Sequence, residues 1–178
     1  MAQAKRKKKF FEVEIPILKR TAPLYAYELK ELNNRFINFD MTRLLRGKNS
    51  VLQLKVKVDG ENAVATPREM NVLPCFIKKM MRKGINYVED SFSAECKDAQ
   101  LRIKPFLITR RKVSRAVRKA LRNKAKEELI EYVKDKTSET IFNDLVKNQL
   151  QKPLSLKLKK IYPLSLCEIR VLKIEKEL

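Results

Sequence analysis

Apolar and polar positions follow two periods along this chain, and the change from one to the other falls near Thr109. Before that point the period is two, the mark of half-buried strands. Phe10–Ile15 alternates and is closed by Pro16, and Phe36–Phe39 reads as a further strand. Between them, Tyr25–Leu32 fits either a strand or a helix, and Arg43–Ser50 reads as a loop. Val51–Val58 alternates strictly up to Asp59-Gly60, and Glu61–Ala65 resumes the pattern. Asp-Gly between alternating runs predicts a β-hairpin over 51–65 with a type I′ turn, which needs positive φ at both central residues. Pro74–Lys83 suits a short helix with proline in its first turn and Gly84 just past its end. Two more strands are predicted over Tyr87–Cys96 and Leu101–Thr109. Pro105 cannot donate to a ladder, so the second strand is expected at a sheet edge or at a bulge.

From Thr109 the period becomes about 3.6. Val113, Ala116, Val117, Ala120, Leu121, Leu129, Ile130 and Val133 fall on one face of a long helix, and Arg111, Arg115, Arg118, Arg122 and Lys126 on another. A second amphipathic helix is expected over Ser138–Leu150, interrupted by Pro153. Leu154–Ile161 carries both periods: Leu154, Leu156 and Leu158 alternate like a strand, while Leu154, Leu158 and Ile161 fit a helix. Tyr162-Pro163 ends it, and Cys167–Ile174 closes the pattern as a strand.

Charge changes the picture. The chain has 41 Lys and Arg against 21 Asp and Glu, a net charge of +20, and it is 44% hydrophobic, enough for a core over its 178 residues. The excess is concentrated: Ala99–Lys126 holds eleven Lys and Arg and no acid. A solvated helix face normally mixes signs, so a one-sign block on ordered structure points to an external polyanion. The acids Glu127, Glu128 and Glu131 come only in the second half of the long helix, opposite to what the helix dipole favours. An anion docking at the helix start would account for that order. A basic arm precedes the first strand and ends in Lys5, Arg6, Lys7, Lys8 and Lys9, a run that fits an RNA anchor and also a nuclear-import signal. Phe10 and Phe11 follow it and could stack on bases. Two adjacent strand residues cannot both face out, however, and the pair is read as the start of a core strand.

Several chemistries drop out. Histidine is absent, no P-loop or G-x-G-x-x-G occurs, and Cys75, Cys96 and Cys167 are isolated, which predicts buried thiols of a reducing compartment rather than a disulfide framework or a zinc site. Glu89, Asp90, Glu95 and Asp98 could in principle hold magnesium, but they read more simply as the polar face of a sheet. No enzyme, cofactor or metal is expected. The N-terminus has no apolar region of a secretory signal, and no run approaches the ~18 apolar residues of a membrane span. The Thr109–Lys134 helix lacks Trp and Phe on its apolar face, which argues against membrane insertion. The residues predict a basic arm over 1–9 and a single α+β RNA-binding domain over 10–178.

Leu101–Ala120, with its Lys-Pro strand running into an Arg-rich helix, and Leu158–Arg170, with Lys-Ile-Tyr-Pro before a final strand, resemble the archaeal and eukaryotic small-subunit ribosomal protein family S-three-a, also S-one-e. The basic arm followed by two aromatics and Glu12, and the early hairpin, fall in the order that family shows. Phe10-Phe11 stands where that family has Trp-Tyr, and Asp98-Ala99 where Asp-Gly is usual. The resemblance implies an α+β fold with a curved, partly barrel-like, mostly antiparallel sheet flanked by helices, and a helical Leu154–Ile161. It implies a cytoplasmic, structural constituent of the small ribosomal subunit, on the platform near the mRNA exit. Its partners would be small-subunit rRNA and neighbouring platform proteins, with mRNA and initiation factors as further candidates. Under that reading the RNA contacts are Lys5, Arg6, Lys7, Lys8, Lys9, Arg102, Lys104, Arg110, Arg111, Lys112, Arg115, Arg118, Lys119 and Arg122. The alternative is a free basic RNA chaperone or nucleic-acid-binding regulator. A regulator needs base-reading side chains, and Asn123 is the lone amide on a helix face of Lys and Arg.

Overall fold

The structure, a computed structural model, describes residues 7–60 and 62–177. Among them are nine strands, mostly antiparallel, and four α-helices, an α+β fold as the pattern predicts. Contacts divide the chain into two compact units, one running through Phe39 and including Leu52–Arg68, the other Asp40–Val51 with everything from Glu69 onward. In neither unit do the strands close into a barrel.

The first unit is built of strands. β1 (Lys9–Ile15) pairs antiparallel with β2 (Arg20–Ala26), the chain reversing through a short 3-10 turn at Pro16–Leu18 with Lys19 in the left-handed region. The ambiguous Tyr25–Leu32 divides: Ala26 ends β2, and Leu29–Leu32 is a 3-10 turn. β3 (Phe36–Asp40) lies against β4 (Ser50–Asp59), and β4 against β5 (Asn62–Val72). The hairpin is therefore present and longer than predicted. Only Gly60 of the Asp59-Gly60 pair has positive φ, at 64°, so the type I′ turn expected there does not form at those two residues. Alternation fixes the inner face: Val13, Ile15, Leu52, Leu54, Val56, Ala63 and Ala65 are buried.

The second unit carries the helices. α1 (Pro74–Met80) puts Ile77 against Val72, Phe106 and Ile108, with Phe76, Met80, Ile85 and Leu166 packed around them. It ends three residues short of the predicted Lys83. Continuing it would stack Lys78 on Arg82 and Lys79 on Lys83 at i,i+4, four like charges on one short surface. The predicted Tyr87–Cys96 strand is two strands, β6 (Tyr87–Glu89) and β7 (Phe92–Glu95), parted where the Ser91 N–H donates to Asp90 Oδ1 at 2.9 Å. Both pair with β8 (Ala99–Thr109), β7 along 100–103 and β6 along 106–108. Pro105 thus falls opposite the gap, and on the other side the ladder to β9 (Leu164–Glu177) shifts register between Lys104 and Pro105. The bulge is the outcome of the two that were open, because β8 has neighbours on both sides.

α2 (Arg115–Lys134) packs against β6, β7 and α4 through Leu121, Ala125, Leu129 and Val133, a single seam at i,i+4. Ala116 and Ala120 are exposed and Val117 and Ile130 half-buried, so the buried face is narrower than the pattern suggested. α3 (Ser138–Val146) is shorter than predicted, and Asn148 beyond it has φ 57°. Pro153 interrupts nothing: it is the third residue of α4 (Gln151–Lys159), in the first turn, where no intrahelical bond needs its missing N–H. The two-faced Leu154–Ile161 is helical through Lys159. Of the three thiols, Cys96 is buried and Cys167 largely so, its ionisation pushed up to about 12 by burial, whereas Cys75 is exposed on α1, contrary to expectation.

No residue of its own side chain caps α3. Asp98, from the turn before β8, does so from a distance: its Oδ1 accepts the Ser138 N–H at 2.8 Å and its Oδ2 the Ser138 hydroxyl at 2.6 Å. Burial works to raise its pKa, but these bonds outweigh it and hold the carboxyl below its usual value. A depressed folded pKa contributes stability above the unfolded value and loses it as pH falls through the folded one. Urea unfolding should therefore be flat near neutrality and weaken below about pH 4. Asp98→Ala should cost about 0.5–2 kcal/mol at pH 7 and flatten that acid loss. An unchanged acid limb in the variant would exclude Asp98 as its source.

Candidate nucleic-acid interface

The cationic block divides at Ser114. Before it, residues 110–113 are a loop, so Arg111 does not belong to the helix on which its spacing placed it. The loop is tied down by Asn86. The Asn86 N–H donates to Thr109 Oγ1 at 3.1 Å, its carbonyl accepts the Thr109 N–H at 2.9 Å, and its side-chain Oδ1 accepts the Val113 N–H at 2.8 Å. The Thr109 hydroxyl, itself buried, lies 2.7 Å from the Arg111 carbonyl. Backbone at both ends of Arg110–Arg111–Lys112 is thus bonded while the three side chains stand exposed. Ser114 then caps α2, its hydroxyl accepting the Val117 N–H at 3.4 Å.

On the first two turns of α2, Arg115, Lys119 and Arg122 are exposed and Arg118 is half-buried, with its Nε buried and without a partner among the described residues. No acid lies in the first turn. None of Arg110, Arg111, Lys112, Arg115, Arg118, Lys119 and Arg122 forms an ion pair with a carboxylate among the described residues. The second half of the helix differs. Lys124 lies 3.6 Å from Glu127 and 3.4 Å from Glu128, and Glu128 also takes the Lys157 ammonium of α4, which with Lys124 holds its carboxyl below the usual range. One helix therefore carries a neutralised half and an uncompensated half, and the uncompensated half includes the N-terminus, where cations are disfavoured by about 0.3–1 kcal/mol each.

The other predicted contacts fare differently. Lys104 is exposed on β8. Arg102 is engaged: its Nε donates to Glu175 Oε1 at 2.7 Å, and the other carboxylate oxygen accepts the Ser93 hydroxyl at 2.9 Å. In the first unit Lys7, Lys8 and Lys9 are exposed, and Lys5 and Arg6 lie outside the described residues. Asn86 and Glu175 escaped the sequence reading because their partners lie 23 to 27 and 73 residues away, and no local pattern marks them. The acids weighed as a magnesium site are dispersed: Glu89 reaches Arg170 at 3.3 Å, and Asp90 and Asp98 bond Ser91 and Ser138. Among the described residues no three His, Cys, Asp or Glu side chains are grouped to hold a metal ion, and no helix is long and apolar enough to cross a membrane.

These features define an α+β protein with a contiguous run of cations, Arg110 to Arg122, that meets no carboxylate among the described residues. The chain belongs to the Ribosomal S3Ae family, which it matches over residues 3–177. It is 25% identical over 167 residues to the small ribosomal subunit protein eS1 of Nanoarchaeum equitans (strain Kin4-M), across 89% of this chain and 84% of that protein.

Proposed function

We propose that this chain is a structural, non-enzymatic constituent of the small ribosomal subunit, and that it binds small-subunit rRNA through Arg110–Arg122. The observation that carries the reading is the run of seven cations, loop and helix start together, with no carboxylate partner among the described residues. Phosphates brought to these side chains would release condensed counterions, and the helix N–H groups would add to the attraction. Asn123 is the lone exposed amide among them, so the contact is with backbone and shape rather than base edges. Lys104 and Lys7–Lys9 extend the cationic surface within their own units. Family membership and the eS1 relative support the ribosomal assignment. A place on the platform near the mRNA exit, in the cytoplasm, with neighbouring ribosomal proteins, mRNA and initiation factors within reach, belongs to the same proposal.

Sedimentation of a tagged copy through gradients at moderate and high salt tests it. A protein held only by about ten phosphate contacts loses a thousandfold or more in affinity over a fourfold rise in salt. Stoichiometric migration with the small subunit that survives high salt is the expected result. Release, or a spread over all RNA-containing fractions, would favour the free RNA chaperone.

A further inference from the structure

Alternation predicts that the core strand starts at Phe10-Phe11, and one of these two aromatics lies outside the core. In the β1–β2 ladder Phe11 points inward, as alternation requires of one residue of the pair, and Phe10 points out, 72% exposed. Directly across from it is Tyr25, 50% exposed, with ring centroids 4.9 Å apart and planes tilted by 40°. Just past the last ladder pair, Lys9 with Ala26, come Lys8 and Tyr27, the latter 42% exposed. The Lys8 ammonium lies 5.6 Å from the Tyr25 ring centre and 5.1 Å from that of Tyr27. Arg35 donates from Nη1 to the Tyr25 carbonyl at 3.3 Å and so brings its guanidinium to the edge of the same group.

Fold stability does not account for this arrangement. A single cross-strand aromatic pair adds little to a sheet, and a ring as exposed as Phe10 leaves most of its apolar area in water. A cluster of exposed rings bordered by cations has the makeup of single-strand nucleic-acid platforms, where bases stack on aromatic faces and cations follow the phosphates. Charge decides between RNA and a protein partner. Lys8 and Arg35 reach the rings, the exposed Lys7 and Lys9 adjoin Phe10 in sequence, and the nearby acids are Glu12, two residues along β1, and Glu31, whose carboxylate is already engaged by the Tyr27 N–H at 3.0 Å.

We infer that Phe10 and Tyr25, flanked by Lys8 and Arg35, form a stacking platform for unpaired nucleotides of an RNA strand. The inference rests on the RNA-binding reading above and adds a second mode, base stacking on the first unit, to phosphate contact by the Arg110–Arg122 surface of the second.

The test uses the full chain and two fluorescein-labelled probes, an oligouridylate of about a dozen nucleotides and a blunt RNA duplex. Phe10→Ala and Tyr25→Ala should each weaken oligouridylate binding roughly tenfold and leave duplex binding unchanged. Phe10→Trp should keep the affinity, and Phe10→Leu, which retains apolar bulk without a π face, should lose it. Phe10 is largely in solvent, so its variants should melt like the parent. Equal weakening of both probes, or oligouridylate binding indifferent to Phe10, overturns the platform, and loss of subunit incorporation with unchanged oligouridylate binding would assign the rings to a protein neighbour instead. Failure of the underlying reading has another signature, duplex binding that ignores charge reversal at Arg110–Arg122.

Discussion

Replacing Arg111, Arg115 and Arg122 together by Glu is expected to lower affinity for duplex RNA by about a hundredfold or more at roughly 0.15 M salt, and to reduce the slope of log affinity against log salt by about 3. All three side chains are exposed and have no carboxylate partner among the described residues, so under the proposed reading their loss removes phosphate contacts and no internal ion pair. Arg118 is left in place because its Nε is buried, and its reversal would confuse binding with folding. The triple variant should be no less stable than the parent. A Glu at 115 occupies the first helical position of α2, where the dipole favours an acid by about 0.3–1 kcal/mol. Binding and stability should therefore move apart, as expected where a surface is kept for its partner at some cost to the fold. Fluorescence anisotropy across a salt series together with thermal melting measures both, and an unchanged affinity would remove Arg110–Arg122 from the interface.

The largest effect on stability is expected at Glu168. It lies on β9 and takes the ammonium of Lys48, which is 7% exposed, and it also lies 3.4 Å from Gln151 Nε2. Glu168→Ala strands a buried ammonium and should cost about 3–5 kcal/mol in urea unfolding. Replacing both partners, Lys48→Met with Glu168→Leu, should recover most of that loss, since the penalty is the unpaired charge rather than the missing attraction. The exposed pairs around Lys124, by contrast, should each change stability by less than about 1 kcal/mol. A Glu168→Ala variant as stable as the parent would mean that Lys48 reaches water without its partner.

Particular residues show how far the chain could be read in advance. The strands from Phe10 to Thr109 other than β2, which the residue pattern did not mark, the hairpin about Gly60 and the long basic helix follow from contacts two, three or four residues apart, and these are written in the order of the side chains. The contiguous cations of the interface were legible for the same reason: Arg110 to Arg122 are neighbours in sequence as well as in space. Errors gathered at element ends. The spacing puts Arg111 on a helix that begins only at Arg115, because Asn86, more than twenty residues upstream, holds the preceding loop. Pro153 reads as a break from sequence because a proline in a helix interior and one in a first turn look alike until the start of the helix is known.

The residues alone established the α+β class and the one-signed charge block, since composition and short periods need no partner to express them. Which cations stay uncompensated was a tertiary matter: Arg102 is neutralised by Glu175 and Lys48 by Glu168, 73 and 120 residues away, while Arg110–Arg122 meet no acid among the described residues. So was the direction of Phe10, which the β1–β2 register turns outward beside Tyr25. Long-range pairing is decided by which surfaces the packed elements bring into contact, and a charge or a ring becomes available to a partner only where that packing leaves it without one.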